Sequence, residues 1–215
     1  MQGSQKNSDS AKIIFGVIIL SIAYAVLRYH IVGDVPWKDF PFYVLNKGVS
    51  LAAFVLVSFN FAFGPAKALG IPLPSSWLDA RKALGISGFL LVLIHVFISL
   101  MLFSPAVFGK FFETDGTLTF NAGMSMLFGI FAFVSLWGYN LSFQTFLKED
   151  TAFIAFITSR KVLLTAFLFG ALHLVFMGYQ GWLHPEGWNG GLPPISLVAF
   201  GIFVIAYLIN ILKRA

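Results

Sequence analysis

Two histidines, His95 and His173, are the only ionisable groups deep inside the apolar stretches of this chain. Each follows an arginine at nearly the same interval: His95 comes fourteen residues after Arg81, and His173 thirteen after Arg160. On helices rising 1.5 Å per residue, both imidazoles lie about 20 Å from those charges, and their depths differ by about 1.5 Å. Two helices running in the same direction would therefore offer one imidazole each at one level. Such a pair can clamp a planar metal macrocycle from opposite faces and complete six-coordinate iron. An electron does not cross hydrocarbon on protein alone, so a redox cofactor held this way has a use. A bare metal ion would want further ligands at that depth, and the sequence offers none. All nine acids fall in tails, connections or helix ends, which counts against a carboxylate proton relay. Gly88 and Gly170, two turns and one turn before the two histidines, could let a flat ring approach the backbone. The alternative is that each histidine hydrogen-bonds a neighbouring helix, in a haem-free transporter or assembly scaffold.

The elements that must position these residues follow from composition. Of 215 residues, 58% are hydrophobic and 11% charged, against about 25% charged in soluble domains. The implied fold is all-α, an integral membrane bundle in a lipid bilayer. Charge-free runs place six helices near 11–32, 42–64, 77–104, 119–141, 152–180 and 194–213. Residues 1–10 would form a short cytoplasmic tail, and 11–215 a single six-helix haem-binding domain. Lys6, Lys12 and Ala23-Tyr24-Ala25 have the look of a cleavable signal peptide, but the apolar stretch continues past that site, favouring an uncleaved helix. Ten basic residues fall on the side of the tails, against Arg28, Lys38, Lys47 and Lys110 on the other. The positive-inside rule then puts both termini in the cytoplasm and runs helices 3 and 5 from inside to outside. The net charge of +5 reads as topology signal and lipid contact, with no nucleic acid partner. With no cysteine, thiolate metal sites and covalently attached haem are excluded. Ser76-Trp77-Leu78-Asp79 has the pattern of a helix cap, and Asp150 is placed to cap helix 5. No dinucleotide-binding or Walker loop is present.

Arg81-Lys82-Ala83-Leu84-Gly85-Ile86, with His95 ten residues after Gly85, resembles the third helix of the ferric reductase-like transmembrane domain superfamily. That superfamily includes ferric reductases, NADPH oxidases, STEAP-type metalloreductases and the bacterial haem subunit of the periplasmic methionine sulfoxide reductase system. The stretch from Arg160-Lys161-Val162 to Ala171-Leu172-His173 resembles its fifth helix. Two-haem members carry inner histidines where this chain has Arg81 and Arg160, and guanidinium stays protonated. The resemblance thus implies a single-haem cytochrome b of a bacterial cytoplasmic (inner) membrane, with one haem b iron held by His95 and His173. In such an arrangement a flavin, FMN or FAD, can serve as the inner relay. Arg81, Lys82, Arg160 and Lys161 would suit its phosphate, or they are ordinary positive-inside anchors. Arg160 is rotated roughly 140° from His173 on a straight helix, so it reaches the same cleft only if helix 5 bends. The family's fused flavin and nicotinamide domain is not in this sequence. Electrons would come from a separate flavin reductase, a bound flavin or a quinol, and pass to a periplasmic acceptor protein or metal.

Haem propionates near the outer face would want cations, and Arg28 and Lys47 are the candidates; the alternative is interfacial snorkelling. His30 and His184 could bind metal, contact quinone or dock a partner, or be plain surface residues. Asn60 is a candidate interhelical hydrogen-bond donor, and Trp77, Trp137, Trp182 and Trp188 suit an interfacial belt. If Arg81 and Arg160 close the inner site, haem-replete protein will carry one haem per chain by pyridine haemochrome assay. Two haems per chain would overturn that reading.

Overall fold

The computed structural model describes residues 2–213. Met1, Arg214 and Ala215 lie outside the described residues, and Arg214 is one of the ten basic residues counted on the side of the tails. The described chain is helical with no strand, apart from one isolated antiparallel bridge between Phe112 and Leu118. Six of its helices are long and apolar enough to cross a membrane. The helices are α1 (Gln2–Val26), α2 (Leu45–Ala68), α3 (Ser75–Leu102), α4 (Pro105–Phe108), α5 (Phe120–Leu141), α6 (Thr151–Ile157), α7 (Arg160–Trp182) and α8 (Ile195–Leu212).

Three expectations need correction. The tail at 1–10 is helical from Gln2, because no proline interrupts the run into the apolar segment. Ser76 is not the cap of α3; the helix begins at Ser75, directly after Pro74. The fifth span is not one helix over 152–180. Asp150 does cap its first part, its carboxylate accepting from the Phe153 amide at 2.9 Å, but α6 stops at Ile157. There the Thr158 hydroxyl donates to the Ile154 carbonyl at 2.6 Å, and the Ser159 hydroxyl accepts from the Val162 amide at 3.4 Å. These side chains compete for backbone partners, ending one helix and starting the next.

The chain divides into two compact units, Met1–Leu102 with Gln180–Ala215, and Phe103–Tyr179. In the first, α2 is the central element, packed against α1, α3 and α8. It is apolar around most of its circumference, as a helix surrounded by others must be. Close approach depends on glycines. A Cβ on Gly48 would come within 2.9 Å of the Ile22 backbone in α1, and one on Gly88 of α3 would come within 2.9 Å of Val57 in α2. Gly88 therefore serves helix packing and does not open a gap for a flat ring. Leu56, Phe63, Ala80 and Leu84 form the buried cluster between α2 and α3.

Pro65 lies inside α2 and has no N–H to give the Phe61 carbonyl four residues earlier. Hydrocarbon offers no replacement donor, so one must come from the protein. Asn210 of α8 supplies it, its Nδ2 donating to the Phe61 carbonyl at 3.2 Å.

In the second unit, α5 and α7 interlock through a phenylalanine ladder. Phe131 meets Phe169 at 5.3 Å, Phe169 meets Phe128 at 6.0 Å, and Phe128 meets Phe176 at 5.6 Å between ring centroids. Thr119 caps α5 by accepting from the Ala122 amide at 3.2 Å. In the connection before it, the Thr117 hydroxyl and amide both donate to the Asp115 carboxylate, holding its pKa below the usual value.

The Pro65–Asn210 pairing predicts a coupling. Asn210→Leu should lower stability in detergent by about 1–2 kcal/mol, the cost of an unsatisfied buried carbonyl. In a Pro65→Ala background, where residue 65 can again donate to Phe61, most of that loss should vanish. Equal losses in both backgrounds, measured as a double-mutant cycle, would refute the pairing.

Candidate functional site

A histidine in hydrocarbon needs a partner for the ring nitrogen that carries its proton. His173, in α7, finds one on α5: its Nδ1 lies 2.8 Å from the Ser125 backbone carbonyl. A carbonyl only accepts, so Nδ1 is the donor and carries the proton. The neutral ring then has its lone pair on Nε2. The Ser125 hydroxyl bridges the same contact, 3.1 Å from Nδ1 and donating to the His173 carbonyl at 3.1 Å. The ring fits there because residue 129 is glycine, where a Cβ would come within 2.9 Å of Nδ1.

His95, in α3, is held by the same nitrogen. Its Nδ1 donates to the Asn46 side-chain oxygen at 2.8 Å, and Asn46 is buried at the start of α2. The Asn46 amide nitrogen in turn donates to the Ser99 hydroxyl at 3.0 Å, one helical turn beyond His95. That hydroxyl also lies 3.4 Å from Nδ1. Asn46, Ser99 and the α3 histidine thus form a closed polar triad, which presents Nε2 as the lone-pair nitrogen. Both imidazoles place Nδ1–H on an oxygen and so carry their lone pair on Nε2, the arrangement in which a histidine is able to ligate a metal. His95 belongs to the first unit and His173 to the second.

The remaining candidates divide by environment. Arg28 does not snorkel. It is 7% exposed, with Nη1 donating to the Leu192 carbonyl at 2.7 Å and its guanidinium 5.5 Å from the Tyr29 ring centroid. Its backbone carbonyl accepts from Asn189, and Tyr24 donates to the Pro193 carbonyl at 2.6 Å. The last connection is thereby fastened to the end of α1. The left-handed backbone of Gly190 and Gly191 makes its turn possible. No carboxylate among the described residues forms an ion pair with Arg28, and its Nε is buried without a hydrogen bond. Lys47 sits over the Tyr43 ring at 5.1 Å.

Arg81 is engaged in packing. Its Nε donates to the Asn60 backbone carbonyl at 3.1 Å, and its guanidinium fills the space left by Gly64, where a Cβ would come within 2.7 Å of it. The Asn60 side chain rests against Gly85. Arg160 is the first residue of α7, which runs unbroken through His173. The break in span 5 precedes Arg160, so no bend turns it toward the His173 side of the helix. His30 donates from Nδ1 to the Val35 carbonyl at 2.8 Å and stacks on Trp37 at 4.3 Å. His184 is exposed beside Glu186 at 2.9 Å, whose carboxyl is held below its usual range by its own backbone amide and by His184. Trp182 and Trp188 both use their indole N–H, on Ser196 and on the Gly181 carbonyl.

Asn46 and Ser99 beside His95, and Ser125 and Gly129 beside His173, are the partners that sequence reasoning missed. Among the described residues no group of three or more His, Cys, Asp or Glu could hold a bare metal ion. No protein-family model and no curated protein matches the chain.

The geometry at His173 makes a prediction independent of any cofactor. Nitrogen NMR of histidine-labelled apoprotein should show the Nδ1–H tautomer at this residue. Gly129→Val should abolish that signature by pushing the ring off Ser125, while Gly123→Ala on the same helix, with open space around it, should leave it. A ring protonated at Nε2 in the unsubstituted protein would contradict the assignment.

Proposed function

We propose that this chain is the haem subunit of a membrane electron-transfer system, a single-haem b-type cytochrome of the ferric reductase-like kind. His95 and His173 would each offer Nε2 as a ligand for haem iron. The observation that carries this reading is the shared anchoring of the two intramembrane imidazoles, each with Nδ1 on an oxygen and its lone pair at Nε2. Two such nitrogens would be the residues that hold a haem iron, and bound haem would need no further protein ligand. Bound haem supplies a one-electron carrier that shuttles between ferric and ferrous iron. The protein's part is to hold both imidazoles in one tautomer, keep water from the iron and supply charge for the propionates. Arg28, buried without a carboxylate partner among the described residues, is the better-suited cation for that last task, and Lys47 the second.

In this reading both termini face the cytoplasm of a bacterial cell, and the chain spans the inner membrane. One electron at a time enters from a separate flavin reductase, a bound FMN or FAD, or a quinol, and leaves to a periplasmic protein or metal. The packing of Arg81 against Asn60 and Gly64 favours an anchoring role for that residue over flavin binding.

Full-length protein purified from haem-replete cells should give a dithionite-reduced minus oxidised spectrum with sharp b-type bands. His95→Ala and His173→Ala should each abolish them, while Asn60→Ala should retain them. Haem-replete protein without such bands would reject the proposal in favour of structural histidines.

A further inference from the structure

The two histidine anchors differ in kind. His173 donates to a main-chain carbonyl, that of Ser125, an acceptor that persists whatever side chain residue 125 carries. His95 donates to a side chain, that of Asn46, which is oriented by Ser99 one turn along α3. A hydrogen bond from Nδ1–H to an oxygen makes the opposite ring nitrogen a stronger donor to a metal. A stronger donor favours the ferric over the ferrous state, and second-shell hydrogen bonding is one of the levers a protein has on haem potential. Of the two proposed iron ligands, His173 would therefore have its donor strength set by a backbone acceptor and His95 by the residue at position 46. Burial sharpens the effect, since Asn46 is 4% exposed and its interaction with the imidazole is little screened.

We infer that Asn46, acting through the His95 imidazole and held in place by Ser99, is the positioning residue that sets the reduction potential of the bound haem. This rests on the ligation proposed above. The neutral amide oxygen is an intermediate acceptor. An apolar side chain at position 46 would leave the imidazole a weaker donor, and a carboxylate would make it a stronger one.

The test is a potentiometric titration of full-length, haem-loaded protein, followed optically in the reduced b-type bands. Asn46→Leu should raise the midpoint. At a fixed ambient potential the ratio of reduced to oxidised haem should rise about tenfold, equivalent to about 59 mV for one electron. Ser99→Ala should shift it the same way by less, and Asn46→Asp should shift it the opposite way. All three should keep the six-coordinate low-spin spectrum. An unmoved midpoint in Asn46→Leu or Ser99→Ala, with that spectrum intact, would overturn the inference, as would Leu and Asp variants shifting in the same direction. Should Asn46→Leu fail to fold, Ser99→Ala and Asn46→Asp decide the matter. Unsubstituted protein that binds no haem would instead defeat the ligation reading itself, so the two failures are distinguishable.

Discussion

Hydrocarbon accepts and donates no hydrogen bonds, so every polar group carried into the six spans must find its partner within the protein. That single requirement explains most of the side-chain geometry in the described chain. The Phe61 carbonyl, stranded by Pro65, is met by Asn210. The Arg81 guanidinium lies on Gly64 and the Asn60 carbonyl. Arg28 reaches the Leu192 carbonyl and draws the last connection onto the end of α1. The two histidines obey the same rule, and in obeying it they acquire a defined tautomer.

That tautomer is what the proposed ligation rests on. A histidine placed only to bridge helices can use either ring nitrogen. Here both use Nδ1, one through a main-chain carbonyl and one through Asn46, so the nitrogen with the lone pair is the same in each. The supporting shells are built differently. Around His95 the support is polar and closed, an Asn–Ser–His triad beside the heavily buried α2. Around His173 it is the Ser125 carbonyl and hydroxyl, with a glycine opposite the ring and stacked phenylalanines on the same two helices. Imidazoles held as rigidly as this would suit the proposed haem ligation.

Much of this was legible in the sequence. Uncharged runs gave the six spans, and the bare count of ionisable groups isolated His95 and His173. Asp150 was readable as a cap because a cap is a local signal. Failures came where the deciding partner is distant or belongs to the backbone. Arg28 looked like a charge at the edge of the bilayer, and its burial depends on a connection more than 160 residues later. Gly88 looked like an opening for a ring, and is filled by Val57 of another helix. Thr158 and Ser159 end α6 by turning their hydroxyls on the backbone, a choice that residue type alone does not announce. The carbonyl of Ser125 has no sequence signature at all. Asn46, beside Lys47 near the start of a span, carries no local signal that distinguishes it from interfacial polarity.

The proposed ligation is tested most directly by low-temperature electron paramagnetic resonance of the oxidised, haem-replete chain. Iron held by two imidazoles gives a low-spin ferric signal, which replacing either histidine should convert to high spin or eliminate. A high-spin signal from the unsubstituted protein, or a low-spin signal that survives the loss of either His95 or His173, would contradict it.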